Sequence, residues 1–229
     1  LCQAVDNDGD EFKKPDSLIF QTDFAPGETK RFTVFKGAKQ VYKKEQFKAF
    51  CRFNRERFDD FVWENDKIAH RTYGKALETW KGEPLTSSTI DIWSKRTPRM
   101  VVNDWYLADD YHVDHGEGAD FYSAGLSRGC GGSGIWAADK LWVSGNFVKS
   151  NVLANGPIRV MFELEYAPYE VNVAQLTEVK RVTLDAGSQL DFYQSRWKLN
   201  ELGDLPTAVG LKKVKGEQLH DTFFITDAA

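Results

Sequence analysis

The fold class of this 229-residue chain is indicated by the stretch Ile158-Arg-Val-Met-Phe-Glu-Leu-Glu-Tyr166. Every second residue from Ile158 to Tyr166 is apolar, whereas Arg159 and Glu163 occupy positions between them. Because successive side chains of a strand point to opposite faces, this period of two predicts a β-strand with one buried face. The turn signal Asn155-Gly-Pro157 precedes it and fixes where the strand begins.

Similar short alternating stretches occur on both sides of this strand. We predict strands at Glu28–Phe35, on either side of a Glu64–Asp66 turn within Phe58–Gly74, and at Ile90–Trp93, Met100–Val102, Leu176–Leu184, Leu190–Leu199 and, as an edge, Ala208–Val214. Helical patterns are sparse: Lys43–Arg57 is the best candidate, and Tyr73–Trp80 has room for one turn. Short strands separated by Gly and Asp turns are typical of a sandwich. We therefore predict a mainly β, antiparallel β-sandwich forming a single domain over residues 1–229, with residues 1–16 irregular.

Composition excludes several classes of partner. Hydrophobic residues make up 41% of the chain and charged residues 28%, as in ordinary soluble globular proteins. The formal net charge of −4 gives no electrostatic reason to bind nucleic acid or an anionic membrane surface. The sequence contains no apolar run of transmembrane length. We expect no nucleic-acid partner and no membrane span, and the sequence specifies no oligomeric state.

Titratable and glycine residues are concentrated between Val101 and Trp142. Two of the four histidines, His112 and His115, lie in this segment among tyrosines and carboxylates. Such a segment is poor material for a hydrophobic core, and irregular loops on a rigid scaffold are where binding and catalytic groups concentrate. We predict that the functional site is built from this segment.

Four strings in the chain occur together: Glu64-Asn-Asp-Lys-Ile-Ala-His-Arg-Thr-Tyr-Gly74, Asn103-Asp-Trp-Tyr106, Tyr111-His-Val-Asp-His-Gly-Glu-Gly-Ala-Asp-Phe-Tyr122 and Gly129-Cys-Gly-Gly-Ser-Gly-Ile-Trp136. In this combination they resemble the family called domain of unknown function 4861. The resemblance covers nearly the whole chain. It implies a mutarotase-like β-supersandwich and a role in bacterial breakdown of acidic polysaccharides, in the periplasm or outside the cell. For some relatives it also implies the removal of water from uronic acid ends of oligosaccharides.

Two expectations concern the ends of the chain, the first of them from the resemblance. Family members usually continue well beyond the equivalent of Lys212–Gly216, so we expect the C-terminus to be shortened. The chain starts at Leu1 without a methionine, so we expect an export signal to have been removed or left out.

The activity that the resemblance implies is a carbon–oxygen lyase or hydro-lyase acting on uronate oligosaccharides. Elimination across C4 and C5 of a uronic acid needs a neutralised carboxylate, a base for the C5 proton and an acid for the C4 oxygen. Arginine matches a carboxylate with two hydrogen bonds, and histidine and tyrosine suit the two proton transfers. No cofactor is required by this scheme, and the expected partner is an acidic oligosaccharide.

The motifs that match the family provide all of these groups. The predicted catalytic residues are His115 as the preferred base, Tyr111 or Tyr122 as the proton donor, Arg71 or Arg128 as the carboxylate-binding group, and His112 as a second imidazole. The predicted substrate-binding residues are Trp105 and Trp136 as stacking walls, with Asp104 and His70. On an extended strand His70 and Arg71 point to opposite faces, so the two do not easily serve one cleft.

Other functions remain open at the level of sequence. A glycoside hydrolase would use two carboxylates such as Asp114 and Asp120. A carbohydrate-binding module without catalysis would use Trp105, Trp136 and Trp142 as a platform. An epimerase of the mutarotase type would fit the same fold, although fold alone is weak ground for an activity. Finally, His112, Asp114 and His115 have the ligand types and short spacing of a divalent metal site, which is the alternative to a site without cofactor.

Overall fold

The computed structural model describes residues 1–10, 15–35, 37–38, 40–200 and 204–213. Strands dominate it, and they are β1 (Cys2–Val5), β2 (Ser17–Phe20), β3 (Ala49–Asn54), β4 (Asp60–Asn65), β5 (Ile68–Thr72), β6 (Asp91–Lys95), β7 (Gly118–Ala119), β8 (Cys130–Ala137), β9 (Lys140–Trp142), β10 (Phe147–Asn155), β11 (Arg159–Val171), β12 (Ala174–Asp185), β13 (Phe192–Leu199) and β14 (Thr207–Leu211). The helices are one α-helix, α1 (Val102–Ala108), and two 3-10 helices, Lys44–Gln46 and Lys75–Thr79.

Two antiparallel sheets form the sandwich. One has the strand order β3-β4-β5-β6-β7 and the other β10-β11-β12-β13. β3 packs on β10 and β11, and β4 packs on β12. The core between the sheets contains Phe61 and Trp63 from one side and Phe162 and Leu164 from the other, all fully buried. This confirms the predicted mainly β, antiparallel sandwich. A two-stranded sheet (β1-β2) and a three-stranded sheet (β14-β8-β9) complete the described fold.

The stretch Ile158–Tyr166 behaves as its alternation predicts. Val160, Phe162 and Leu164 are buried, whereas the intervening Glu163 and Glu165 are half-buried at the outer face of β11. The predicted pair Leu176–Leu184 and Leu190–Leu199 corresponds to β12 and β13, which pair antiparallel. The predicted turn at Glu64–Asp66 joins β4 to β5, the prediction at Ile90–Trp93 corresponds to β6, and the single turn within Tyr73–Trp80 is a 3-10 helix.

The five-stranded sheet has two distinct buried faces. Trp63 and its cross-strand partner His70 lie on the face that packs against the other sheet. Val62 and its partner Arg71 lie on the opposite face, which we call the outer face. The prediction that His70 and Arg71 point to opposite faces is therefore confirmed. The helix α1 and Tyr111 cover the outer face by packing on Val62 and Trp93.

The prediction of a strand at Met100–Val102 is wrong, because α1 begins there. The Glu64 carboxylate accepts hydrogen bonds from the backbone N–H groups of Val101 and Val102, each at 2.9 Å. It also accepts one from Lys95 Nζ at 2.7 Å. A carboxylate at the first amides of a helix satisfies N–H groups that have no partner within the helix. This contact joins residues far apart in sequence, so the local pattern carries no sign of it.

The predicted helix at Lys43–Arg57 is also wrong. Only Lys44–Gln46 forms a helical turn, and Ala49–Asn54 is strand β3. β3 pairs residue by residue with β4, and its alternate residues Ala49 and Cys51 are fully buried in the core between the sheets. Pairing with a buried neighbour and burial of alternate side chains override the weak helical preference of this stretch.

Three smaller predictions are corrected near the ends of the chain. Residues 1–16 are not wholly irregular, because Cys2–Val5 pairs with β2. Residues 28–35 have no regular secondary structure, so the predicted strand Glu28–Phe35 is absent. The predicted edge Ala208–Val214 corresponds to β14, which lies at the edge of the three-stranded sheet, while Val214 is outside the described residues. No helix within the described ranges has the length and apolarity needed to cross a membrane.

Candidate functional site

The structure does not bring His115, Tyr111 and Arg128 together. The imidazole of His115 is 67% exposed, and its Nε2 lies 2.9 Å from Asp110 Oδ2. Tyr111 is buried and stacks on Trp93, with ring centroids 5.1 Å apart. The three residues therefore contact different neighbours, and the predicted convergence of this base, phenol and guanidinium in one cleft is not what the geometry gives.

Arg128 lies at the start of β8, beneath β14. Its guanidinium donates to Ser87 Oγ, Ser88 Oγ and the Ser133 carbonyl, each at 3.1 Å. All of these partners are uncharged. Burial lowers the pKa of Arg128 from its usual value. Arg128 is thus a buried cation whose hydrogen-bond partners are neutral. Neither His112 nor His115 is among these partners.

The four predicted substrate-binding residues also separate. Trp105 stacks on Trp93 with ring centroids 5.6 Å apart, and exposed Asp104 pairs with Arg99. Trp136 is half exposed on β8. His70 is buried between the sheets, where it stacks on Trp63 and places its Nε2 3.0 Å from Asp191 Oδ2. These positions provide no common wall for a sugar.

Arg71 is the centre of a buried ion cluster on the outer face, the Arg71 cluster, which consists of Arg71, Asp60, Asp91 and Asp120. Arg71 Nε donates to Asp91 Oδ2 and Arg71 Nη2 to Asp120 Oδ2, both at 2.8 Å. Arg71 Nη1 lies 3.9 Å from Asp60 Oδ2. The pairing of β4, β5 and β6 places Asp60, Arg71 and Asp91 on neighbouring strands. Asp120 lies in the loop after β7.

Aromatic rings enclose the Arg71 cluster. The guanidinium of Arg71 lies 5.3 to 5.5 Å from the ring centroids of Tyr73, Trp93 and Tyr111. Tyr73 donates its hydroxyl to Asp91 Oδ2 at 2.8 Å. Cation–π contacts of this kind stabilise a desolvated guanidinium. The rings also exclude water, which strengthens every charge interaction inside.

Burial changes the acidity of two of the aspartates. Desolvation raises the pKa of Asp60 to about 6, and the nearby Arg71 and Arg57 guanidinium groups only partly oppose this effect. Desolvation likewise raises the pKa of Asp120 to about 6, again opposed by Arg71. Asp120 Oδ1 and Asp60 Oδ1 accept no hydrogen bond within the described part of the chain. Two carboxyl groups can therefore exchange protons in the mildly acidic range, which suits general acid–base chemistry.

A cavity of about 180 Å³ opens onto the Arg71 cluster, and we call it the Arg71 cavity. It is lined by Arg57, Arg71, Tyr73, Glu83, Leu85, Asp91, His112, Asp120 and residues 121–125. Of the sequence-predicted catalytic residues, it therefore brings together Arg71, His112 and Tyr122. His115, Tyr111 and Arg128 do not line it.

His112 is oriented by Asp120. Its Nδ1 lies 3.1 Å from the Asp120 carbonyl and 3.5 Å from Asp120 Oδ2. A carbonyl oxygen can only accept, so Nδ1 carries the proton and the neutral ring keeps its lone pair on Nε2. Tyr122 lines the same cavity, and burial, with a smaller contribution from Cys130, raises its pKa. Tyr122 is thus held in the protonated form, and the cavity offers one basic nitrogen and one phenolic proton.

The alternative residue sets are not assembled in this way. Asp114 accepts hydrogen bonds from Gly116 N and Gly118 N and pairs with Arg96, and the first of these hydrogen bonds contributes most to the lowering of its pKa. Asp114 is therefore an ionised side chain that stabilises a turn, and it does not pair with Asp120 as a catalytic acid. His112, Asp114 and His115 each hold a different partner. Across the described ranges, the ligand atoms near enough together to share one ion are those of Asp6, Asp8 and Asp10.

Sequence reasoning missed several polar residues that the structure places in the interior. Asp60 and Asp91 belong to the Arg71 cluster but were not among the candidates. Glu178 and Lys180 are buried on the inner face of β12. The signal for the latter pair was readable, because the alternation of Leu176–Leu184 places both charged residues on the same face as the leucines.

A comparison of the whole sequence with known protein families gives a match to the model described as Domain of unknown function (DUF4861), over residues 1–228. The chain belongs to this family. The DUF4861 chain is also 35% identical over 218 residues to an uncharacterized protein, P7, from Formosa agariphila. That alignment covers 91% of the DUF4861 chain and 54% of P7, so the chain spans about half the length of this relative. No solved structure matches the DUF4861 chain significantly.

Proposed function

We propose that the chain is a carbon–oxygen lyase that eliminates water or a sugar from uronate-containing oligosaccharides. The observation that carries the proposal is that His112 and Tyr122 line one cavity of about 180 Å³, with His112 Nδ1 committed to the Asp120 carbonyl. The family resemblance supports the choice of substrate. It also supports a role in bacterial polysaccharide breakdown, in the periplasm or outside the cell.

The proposed reaction needs two proton transfers, one from the substrate to His112 and one from Tyr122 to the leaving oxygen. His112 Nε2 takes the C5 proton, and the electron pair of the C5–H bond forms the C4–C5 double bond. The C4–O bond breaks with its electrons on oxygen, and Tyr122 protonates that oxygen. A free hydroxyl at C4 leaves as water, and a glycosidic oxygen leaves with its sugar.

Asp120 provides the hydrogen bond to the substrate carboxylate in this scheme. Arg71, predicted for that role, already directs its Nε and Nη2 donors at Asp91 and Asp120. In its protonated form Asp120 can donate to a carboxylate, which makes the C5 proton more acidic. Because the pKa of Asp120 is about 6, this form is lost as the pH rises through that value. Arg71 then serves as a positioning residue that holds Asp120.

The test is turnover of a panel of uronate oligosaccharides, read by mass and by near-ultraviolet absorbance of the new double bond. We expect His112→Gln to lower kcat/KM by about 10²–10⁴-fold, the usual contribution of a positioned base. His115→Gln is the matched control, because His115 lies in the same segment with similar exposure but outside the cavity. Unchanged turnover in His112→Gln, or an equal loss in both variants, would remove His112 as the base.

Tyr122→Phe separates the proton donor from the cavity shape. We expect it to slow substrates that lose an alkoxide more than substrates with a better leaving group at C4, because the second kind needs less protonation. Fragmentation without a double bond would instead indicate a hydrolase. Saturable binding with no product across the panel would indicate a carbohydrate-binding module.

A further inference from the structure

A second cavity, of about 430 Å³, lies between β8, β12, β13 and β14, and we call it the Lys180 cavity. Its lining includes Ser133, Lys180, Tyr193, Ser195 and Trp197, and no residue lines both this cavity and the Arg71 cavity. Ligand pockets in proteins commonly have volumes of about 300–1,000 Å³. The Lys180 cavity is therefore large enough for a small ligand and is separate from the groups proposed to transfer protons.

Lys180 is a buried cation without a hydrogen bond. The residue is 2% exposed, and its Nζ has no hydrogen-bond partner within the described residues. The nearest carboxylate oxygen, Glu178 Oε1, lies 3.6 Å away. That oxygen already accepts hydrogen bonds from Ser195 Oγ at 2.7 Å and Ser133 Oγ at 3.3 Å. Burial lowers the pKa of Lys180, as expected for an ammonium group that has lost water without a full replacement.

The charges around Lys180 do not cancel. Arg128 is a second cation at this location, because it donates to the carbonyl of Ser133, which lines the cavity, and its other hydrogen bonds go to Ser87 and Ser88. Glu178 is the carboxylate that acts on both cations. Asp191 is directed elsewhere, because it accepts from Trp63 Nε1 and Tyr193 OH and faces His70. Two buried cations sharing one carboxylate leave one positive charge uncompensated among these residues.

A second buried donor belongs to a residue that lines the same cavity. Trp197 lines it, and the Trp197 Nε1 atom is buried with no hydrogen bond inside the described part of the chain. An ammonium group and an indole N–H can only donate. Buried donors of this kind are normally satisfied, and a buried ammonium group that makes no hydrogen bond is especially unfavourable. A ligand that satisfies both must present acceptor oxygens, and a negative charge would neutralise the excess.

We propose that the Lys180 cavity binds the oxyanion of an acidic sugar, a carboxylate or a sulfate ester, through Lys180 Nζ and Trp197 Nε1. Arg128 does not line the cavity, so it attracts the anion electrostatically without contacting it. The proposal that this cavity binds an anion does not depend on the proposed elimination reaction. Only the proposal that the anion belongs to a sugar rests on the proposed function. In that setting the Lys180 cavity provides a cationic contact for a sugar oxyanion, whereas the Arg71 guanidinium is already paired with Asp91 and Asp120.

Calorimetric titration of the full chain at pH 7 and constant ionic strength tests the proposal. The probes are D-glucuronate, D-glucose as the neutral analogue, and inorganic sulfate. We expect glucuronate or sulfate to bind one site and glucose to give no heat. Tighter binding of glucuronate assigns the site to a carboxylate, and tighter binding of sulfate assigns it to a sulfate ester. No binding of either anion overturns the proposal.

Variants locate the anion. Lys180→Met should weaken binding at least tenfold, Lys180→Arg should retain part of it, and Trp197→Phe should weaken it by a smaller factor. Lys149→Met is the matched control, because Lys149 is an exposed lysine paired with Glu165. Equal affinity in Lys180→Met and the wild type would refute the site. His112→Gln should leave sulfate binding unchanged, because His112 does not line the Lys180 cavity, so loss of turnover and loss of this site are separate outcomes.

Discussion

Arg71 and Lys180 are two buried cations on strands of facing sheets, and their surroundings differ in charge. Arg71 lies on the outer face of β5 with Asp60, Asp91 and Asp120 around it. Lys180 lies on β12 next to β8 and β14 of the three-stranded sheet, where it shares Glu178 with Arg128. The first location has more carboxylates than cations even when Arg57, the partner of Asp60, is counted. The second has more cations than carboxylates.

The difference indicates how each location can be used. Burial raises the pKa values of Asp60 and Asp120 to about 6, and the Asp91 charge adds to the effect at Asp120, so both groups can exchange protons near pH 6. An excess of buried cations leaves donors that a bound anion can satisfy. The two locations therefore suit proton transfer and anion binding respectively, and the following substitutions test whether the charge difference is real.

The largest effect is expected for Arg71→Met at pH 7. Removing one partner of a buried ionic group leaves charges without compensation, and the expected loss in free energy of unfolding is about 3–5 kcal/mol. The loss should shrink at pH 5, where Asp60 and Asp120 become protonated. Urea unfolding at both pH values measures it. Arg96→Met, which removes an exposed cation paired with Asp114, is the control and should change stability little. Similar losses for the two variants would contradict the assignment of Arg71 as the centre of the cluster.

Asp120→Asn should stabilise the protein above pH 6. The pKa of Asp120 is about 6 in the folded state against a usual value of 3.8, so the folded state binds the proton more tightly. The wild type therefore loses stability as the pH rises from about 4 to about 6, and the loss persists above that range. The variant lacks this loss, so it should gain about 3 kcal/mol over the wild type at pH 7 and nothing below pH 4. Urea unfolding as a function of pH measures the difference. A variant less stable than the wild type at pH 7 would show that the Asp120 charge is favourable.

Gly210→Ala disturbs the location of Lys180 through Arg128. A Cβ at position 210 would lie 2.8 Å from Arg128 Cβ and Cγ, closer than real Cβ atoms approach. We expect a loss of about 2 kcal/mol, because the contact falls on the first atoms of the Arg128 side chain, whose guanidinium is held by hydrogen bonds to Ser87, Ser88 and Ser133. Gly37→Ala is the control, since nothing lies within 4 Å of a Cβ there. Thermal unfolding compares the two. An equal response would mean that β14 does not press on Arg128.

Lys180→Met should have the smallest effect on stability. After the substitution Arg128 and Glu178 remain as one cation and one carboxylate, so no charge is left without compensation. We expect a change below about 1 kcal/mol in the free energy of unfolding, with stabilisation as the favoured sign. Urea unfolding alongside Arg71→Met measures the contrast directly. A loss as large as that of Arg71→Met would show that Glu178 depends on Lys180 alone.

The elements that sequence reasoning identified correctly are those whose pattern follows from the strand itself. In β11 and β12 the alternating apolar residues point to the facing sheet, so period two and burial agree. The errors arise where distant contacts decide. Strand β3 depends on pairing with β4, and α1 depends on the Glu64 carboxylate. Neither contact leaves a mark in the local sequence.

The candidate site was predictable in its region but not in its geometry. The segment Val101–Trp142 does supply His112, Asp120 and Tyr122 to the Arg71 cavity. Sequence could not show that His112 rather than His115 faces it, because the two rings belong to an irregular loop without a fixed period. It also could not show that Asp60 and Asp91, from two different strands, join Asp120 around Arg71.

Hydrogen exchange of the amides in strand β14 can reveal whether the Lys180 cavity is occupied. It pairs with β8 along one edge of the described sheet, and Thr207, Ala208 and Val209 line the cavity. An edge strand held by a single ladder opens more readily than strands paired on both sides, so its amides exchange with deuterated solvent early. A molecule bound in the cavity would slow this exchange. The exchange rate of these amides therefore reports whether the cavity is occupied.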